Sequence, residues 1–340
     1  MMTRRSVLSI ALVTGCSKSS AKRLNVFNWS AYVAPETVPN FEKRAGAKVR
    51  YSIYESNEEM LARVFSGNSG WDVVFPTHYI VPPMREQNLL AELDHSRLPN
   101  LKNLDSLFSA PVSDPSLRHS MPYMWNATGI LYNTSHGPAP VSWADLWAPH
   151  WKGHLTMLDD PAEVFAAALR KLGHSLNSRN PTELAAAQRE AIAQKPLLRA
   201  YLNTEVRDQA VAGDVLIAQL WSTTAQQAID AAKHLAFVYP QEGFPLSLDC
   251  AVILRESPRK ELAHEFLNYL LEPEVSARIA ETMRTATANG AARPLLTQAT
   301  QANATLYPPP ETLARAEWFA TITPDAQRLR DRLWTEIKSA

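Results

Sequence analysis

Cysteine is almost missing from this 340-residue chain, which has only Cys16 and Cys250. That excludes a disulfide framework and a cysteine-rich zinc site. Glycine is also sparse, 11 residues against 24 prolines, which fits short elements joined by rigid connections. Neither sign of charge is in excess. The 34 basic side chains balance 34 acidic ones, which argues against nucleic acid or an anionic membrane surface as a partner. After the N-terminus no run of 18 apolar residues occurs, so no later segment reads as a membrane span. The patterns G-x-x-x-x-G-K-[ST], G-x-G-x-x-G, H-E-x-x-H and G-x-S-x-G are all lacking, which removes the common phosphate-loop, dinucleotide, zinc-protease and serine-hydrolase readings. The nine histidines are scattered. His150 and His154 are four apart but flank Gly153 in a loop-like stretch with Pro149 and Trp151, a poor metal frame. No metal and no cofactor are expected. What remains is an ordinary hydrophobic fraction, 46%, on a chain long enough for two domains or one large one.

The N-terminus reads as an address. Arg4 and Arg5 precede the apolar stretch VLSIALV, residues 7–13, which ends in Val13-Thr14-Gly15-Cys16. This resembles the lipobox of bacterial lipoproteins, which implies cleavage before Cys16 and a lipid on its thiol. The run TRRSVL (residues 3–8) also resembles a twin-arginine signal, with the Sec route preferred. Residues 17–22 (SKSSAK) read as a flexible tether. Removal of residues 1–15 takes away two arginines and no acid, leaving 32 basic against 34 acidic side chains. Cys250, in the apolar run 250–254, reads as a small buried hydrophobe.

Apolar runs then alternate with helical spacing. Strands are expected at 24–27, 48–54, 71–75, 128–132, 155–158, 215–220, 235–238 and 251–254. Helices are expected at 33–44 before Gly46, at 57–65 behind a Ser56/Glu59 capping box, at 163–172 before Gly173, from about 222 to Lys233, at 259–271 and at 275–283. Strands alternating with helices imply α/β layers. The runs 128–132 and 251–254 bracket a self-contained α/β block, as a double crossing between two lobes would.

Aromatic residues and carboxylates cluster at the ends of the expected strands. Trp29, Ser30 and Tyr32 follow the first, Tyr79 follows the third, and Asp160 and Glu163 follow the strand at 155. Trp221 ends the strand at 215, and Asp249 precedes the strand at 251. Open α/β sheets place ligands at such carboxyl ends. Each residue has a structural reading too. Asp160 and Glu163 suit the N-cap and third position of a helix, and the tryptophans suit a core. Together they suit an organic polycation, whose ammonium groups need desolvated carboxylates and whose methylenes need aromatic walls.

The runs FNWSAYV (27–33), YESNE (54–58), SWADLW (142–147), DDPAEVF (159–165) with ALRKLG (168–173), and FLNYLLEPEV (266–275) resemble the spermidine/putrescine-binding proteins of bacterial ABC importers. The match spans about residues 24–338. The resemblance implies an α/β, two-lobed periplasmic-binding-protein fold of type II, with the ligand cleft between lobes and hinge crossovers near 129–132 and 250–253 and a further return near 300. It divides the chain into signal (1–16), tether (17–23), one lobe of 24–128 and 252–300, and a second of 129–251 and 301–340. It implies that Trp29, Ser30 and Tyr32 line the first wall, Tyr79 stacks on the methylenes, and Trp221 walls the second lobe. Asp160, Glu163 and Asp249 then hold the ammonium groups. It also implies a monomer in the periplasm, tethered through Cys16, that delivers a polyamine to an inner-membrane permease with its ATPase.

Four positions depart from the family pattern. Ala31 stands where an acid is expected, Ser247 where an aromatic is, Thr285 where a tyrosine is, and Phe319 where the spermidine type carries a polar residue. A different cationic or polar ligand is the alternative within the class. Outside it stand a polyamine sensor without a transporter and a hydrolase using Asp160 and Glu163. The hydrolase suffers because carboxylates three residues apart on one helical turn cannot flank a sugar bond from opposite sides.

Overall fold

The structure, a computed structural model, describes residues 22–340 apart from positions 66 and 322. Cys16 and the expected signal lie outside the described residues. The strands are β1 (Lys22–Trp29), β2 (Ala47–Tyr54), β3 (Val73–Val74), β4 (Met121–Asn133), β5 (Leu155–Met157), β6 (Leu198–Tyr201), β7 (Ile217–Trp221), β8 (Leu235–Val238), β9 (Pro245–Ile253), β10 (Ala286–Thr287) and β11 (Glu317–Trp318). The helices are α1 (Thr37–Ala45), α2 (Asn57–Val64), α3 (Val81–Glu86), α4 (Pro161–Lys171), α5 (Pro181–Gln194), α6 (Val206–Ala212), α7 (Ser222–Ala231), α8 (Lys260–Leu270), α9 (Pro273–Met283), α10 (Gln298–Gln301), α11 (Pro310–Leu313) and α12 (Pro324–Ser339).

One mixed sheet runs β2-β1-β3-β9-β4-β7-β5-β6, with β10 and β8 also pairing with β4, and β11 with β9. Its two ends are parallel: β1 with β2 and β3, and β5 with β6 and β7. Its middle is antiparallel, because β9 pairs with β3 and β4, and β4 pairs with β7. Two parallel α/β units are therefore joined through two long neighbouring strands. Those strands are the expected crossings at 128–132 and 251–254, extended toward their N-termini. All of β4 but Tyr132 is buried, as a strand covered on both faces must be.

Helix boundaries follow local chemistry. Ser56 caps α2, its Oγ accepting from Glu59 N at 3.1 Å, but the Glu59 carboxylate takes the N–H of Glu55, so only half of the expected capping box forms. The helix expected from 33 begins at Thr37, after the turn that Pro35 allows, and ends at Gly46 with φ 59°. Its Phe41 packs against Phe266 and Tyr269 of α8, with ring centroids 4.9 and 5.5 Å away.

Two long helices had no counterpart in the sequence reading. α5 buries Leu184, Ala187, Ala191 and Gln194, a face too rich in alanine to stand out. α12 buries Arg330, Leu333 and Ile337 amid charged neighbours. The second half of α5 holds the end of α12: Gln188 donates to Glu336 at 2.6 Å, and the ammonium of Lys195, just past α5, caps the Ile337 and Lys338 carbonyls of α12.

Gly129 of β4 is required by close packing. A Cβ there would lie 2.5 Å from the Val238 carbonyl oxygen and 2.6 Å from the Phe237 ring, both on β8. Gly129→Ala is expected to cost on the order of 1–3 kcal/mol, read as a drop of several degrees in the thermal melt.

Candidate functional site

Both inner strands carry polar residues into one cavity of about 540 Å³. Asp249 lies within β9, opposite Met124 of β4, rather than ahead of the strand as the sequence suggested. It is 4% exposed. Tyr32, from the loop after β1, donates its hydroxyl to Asp249 Oδ2 at 2.6 Å, and Thr77 Oγ1 donates to Oδ1 at 2.9 Å. The Tyr32 segment is itself held by Tyr123, whose hydroxyl donates to the Tyr32 carbonyl at 2.5 Å. Burial pushes the Asp249 carboxyl up to about 6, while the hydroxyl donors pull it back down.

The second acidic position is the start of α4. Asp160 is the N-cap, its Oδ1 accepting from Ala162 N at 2.8 Å and Glu163 N at 3.2 Å, with Pro161 first in the helix. Burial raises its pKa; the two N–H groups and the buried guanidinium of Arg330 on α12 oppose that rise. Glu163, one turn on, places Oε1 where Thr128 Oγ1 of β4 donates at 2.9 Å and Trp221 Nε1 donates at 3.0 Å. Its Oε2 is buried without a hydrogen-bond partner among the described residues. Burial first, and Asp160 second, push Glu163 up to about 8. An unpartnered buried carboxyl oxygen is costly unless a donor reaches it.

Aromatic rings supply the walls. Trp29 ends β1 and is fixed by its Nε1 donating to the Phe75 carbonyl at 2.7 Å, with Tyr54 packed 4.6 Å from it. Tyr79 packs on Phe319 at 5.4 Å and receives Asn57 Nδ2 on its hydroxyl at 3.3 Å. Trp221 closes the side formed by β7. All eight residues singled out from the sequence, Trp29, Ser30, Tyr32, Tyr79, Asp160, Glu163, Trp221 and Asp249, line this cavity.

Three of the four departures line it as well: Ala31, at φ 52°, Ser247 and Phe319. Thr285 is fully buried behind the wall and bonds Thr223 at 3.0 Å.

Sequence reasoning missed Asn57, Thr77, Asn126, Thr128 and Thr223, which orient the carboxylates. The available signal was a polar side chain inside an apolar strand: Asn126 and Thr128 are 5% and 1% exposed within β4. At the mouth, Thr204 Oγ1 donates to Glu55 Oε2 at 3.1 Å and Asn203 Nδ2 to the Glu55 carbonyl at 3.2 Å, so the rims meet. Among the described residues no cluster of histidine, cysteine and acid could hold a metal, and no helix is long and apolar enough to cross a membrane.

Three comparisons bear on this geometry. A spermidine/putrescine-binding periplasmic protein of Escherichia coli (strain K12) is 38% identical over 322 residues, 93% of this chain and 92% of that one. A solved structure assigned to a spermidine/putrescine ABC transporter of Listeria monocytogenes superposes with a TM-score of 0.90 at 32% identity, covering 94% of this chain and 99% of that one. A lipoprotein of Treponema pallidum superposes with a TM-score of 0.82 at 27% identity, covering 93% and 99%. The likeness fixes the fold as the two-lobed periplasmic-binding type II architecture, in which the cleft just described lies between lobes. The family model for bacterial extracellular solute-binding proteins matches residues 36–308, a span that holds Tyr79, Asp160, Glu163, Trp221 and Asp249 but not Trp29, Ser30, Tyr32 or Phe319, and the chain belongs to that family of binding proteins rather than to an enzyme family.

Proposed function

We propose that this protein captures a polyamine, spermidine or putrescine, and presents it to the permease and ATPase of an ABC importer. The carrying observation is the meeting of three buried carboxylates in one aromatic-walled cavity, with Glu163 Oε2 still lacking a donor. A primary ammonium supplies that donor and the countercharge together. One ammonium pairs with Asp249 and another with Asp160 and Glu163, while Trp29, Tyr32, Tyr79 and Trp221 cover the methylenes through packing and cation–π attraction. Ser30 adds a polar contact at the first wall. The polyamine names of the relatives support the ligand class.

The lobes of this reading are 24–128 with 252–300, and 129–251 with 301–340, closing about β4 and β9. The antiparallel pairing of these two strands between parallel units supports that division. The lipobox-like run ending at Cys16 supports a lipid tether that keeps a monomeric binder in the periplasm beside its permease.

The test is thermal melting with putrescine, spermidine and spermine, against neutral and zwitterionic controls. Ligand at a hundred times its dissociation constant stabilises the fold by about 2.7 kcal/mol, a shift of several degrees. No shift with any polyamine means that Ala31, Ser247 and Phe319 have redirected the pocket to another cationic or polar solute.

A further inference from the structure

The two hydroxyls that donate to Asp249 are each controlled by an asparagine, and the two controls differ in strength. On one side, Asn57 Oδ1 accepts the backbone N–H of Thr77 at 3.2 Å. That N–H cannot reverse, so Asn57 Nδ2 must face Thr77 Oγ1, at 3.1 Å, as a donor. The Thr77 hydroxyl proton is thereby left for Asp249. On the other side, Asn126 Nδ2 donates to the Tyr32 hydroxyl at 2.5 Å, which leaves the Tyr32 proton for Asp249. Asn126 holds this orientation because its Oδ1 accepts the hydroxyl of Thr223. A hydroxyl, unlike a backbone N–H, can donate or accept. Thr285, fully buried, bonds Thr223 at 3.0 Å. The Thr223 hydroxyl is also placed to donate to Thr285 Oγ1, so its single proton has two acceptors, and with that proton on Asn126 the amide is locked.

Every member of this chain is buried: Thr285, Thr223, Asn126, Tyr32 and Asp249 are each no more than 8% exposed. Reversal would turn Asn126 so that its carbonyl faces the Tyr32 hydroxyl. Tyr32 would then donate to Asn126, and Asp249 would have to carry a proton to satisfy it. Direction along the chain is therefore equivalent to the charge on Asp249.

We propose that Thr223 is a positioning residue that sets the direction of this hydrogen-bond chain and so keeps Asp249 an anionic acceptor for the ligand's ammonium. The inference rests on the polyamine reading for its ligand, but not for the chain itself. It also places Thr285, behind the cavity wall, as the second acceptor for the Thr223 proton.

The groups facing Asp249 are Tyr32, Tyr54 of β2 and the neighbouring Cys250, all of which burial raises well above neutral pH. Toward the other end of the cavity, burial also raises Glu163 to about 8 and Glu58 to about 7, so the Asp249 titration is read at its own carboxyl carbon.

The experiment compares wild type, Thr223→Val, Thr223→Ser and Thr285→Val by two readouts: calorimetric affinity for putrescine across pH 5.5–8.5, and titration of the Asp249 carboxyl carbon by NMR without ligand. Thr223→Val is expected to lower affinity at neutral pH roughly tenfold and to move the Asp249 titration upward. Thr223→Ser restores both, and Thr285→Val, which removes only the competing acceptor, gives no upward shift. An unmoved titration in Thr223→Val overturns the proposal, as does equal weakening at every pH that serine fails to rescue. If wild type binds no polyamine but the titration moves, the ligand reading falls and the relay stands.

Discussion

Asp249→Asn is expected to weaken polyamine binding by about 3–4 kcal/mol, roughly two to three orders of magnitude in dissociation constant, measured by calorimetry near pH 7.5. The substitution keeps the shape of the side chain and removes its charge. A buried ammonium then lacks its counterion, and leaving one charge of a desolvated pair uncompensated is what makes such losses large. Geometry adds to the loss. Tyr32 and Thr77 both aim hydroxyl protons at this side chain, so the amide nitrogen of asparagine meets a donor on whichever side it lies.

The free protein should not suffer in step. Its Asp249 titrates at about 6, above the ordinary carboxylate value. The folded state therefore holds that proton more tightly than the unfolded chain. Wild-type stability falls as pH rises from about 4 to 6, and the asparagine variant lacks that fall. At pH 7.5 its melting temperature is expected to equal or exceed that of wild type. An affinity within a few-fold of wild type would remove Asp249 from the ammonium site.

Glu163→Gln is expected to separate stability from binding more sharply. Burial and Asp160 hold Glu163 near 8, so at neutral pH the free protein keeps it protonated, whereas an ammonium on Oε2 requires it ionised. Binding must then expel a proton, and affinity falls by up to about tenfold for each pH unit below 8. In wild type this appears as a steep rise of affinity between pH 6 and 8, and as a calorimetric enthalpy that depends on the buffer's heat of ionisation. Glu163→Gln flattens both and weakens binding by roughly a hundredfold at pH 8. The sign for stability is opposite. A carboxyl raised in the folded state destabilises it as pH climbs through the window from about 4.5 to 8, so the glutamine variant melts several degrees higher at pH 8 without ligand. A variant that loses both stability and binding would mean that Glu163 serves the fold and not the ligand.

Much of this was legible because it is local. The strand and helix at 47–54 and 57–64 follow from alternation and from Ser56, and both acids at the start of α4 follow from helix-capping chemistry. The aromatic and acidic residues were found because strand ends collect ligands in such sheets. What stayed hidden depends on partners distant in sequence. The first half of β4 does not read as a strand, since Pro122 and Asn126 interrupt its apolar run. In the fold Pro122 sits at a register shift against β9, where a missing N–H is tolerated. Arg330 reads as one of many charges on α12, and only the packing of that helix over α4 buries it beside Phe165 and Asp160. The relay through Thr223 and Thr285 joins residues 62 apart, a relation that no spacing rule carries.

Asn126 and Thr128 are neighbours on one face of β4, and each anchors a different end of the acidic cleft. Two residues of strand advance about 6.6 Å. The two anchoring points are thus spaced by covalent backbone, not by the angle between lobes. β4 thus acts as a gauge block between the group that holds Tyr32 and the group that holds Glu163, the two side chains nearest the acids at either end.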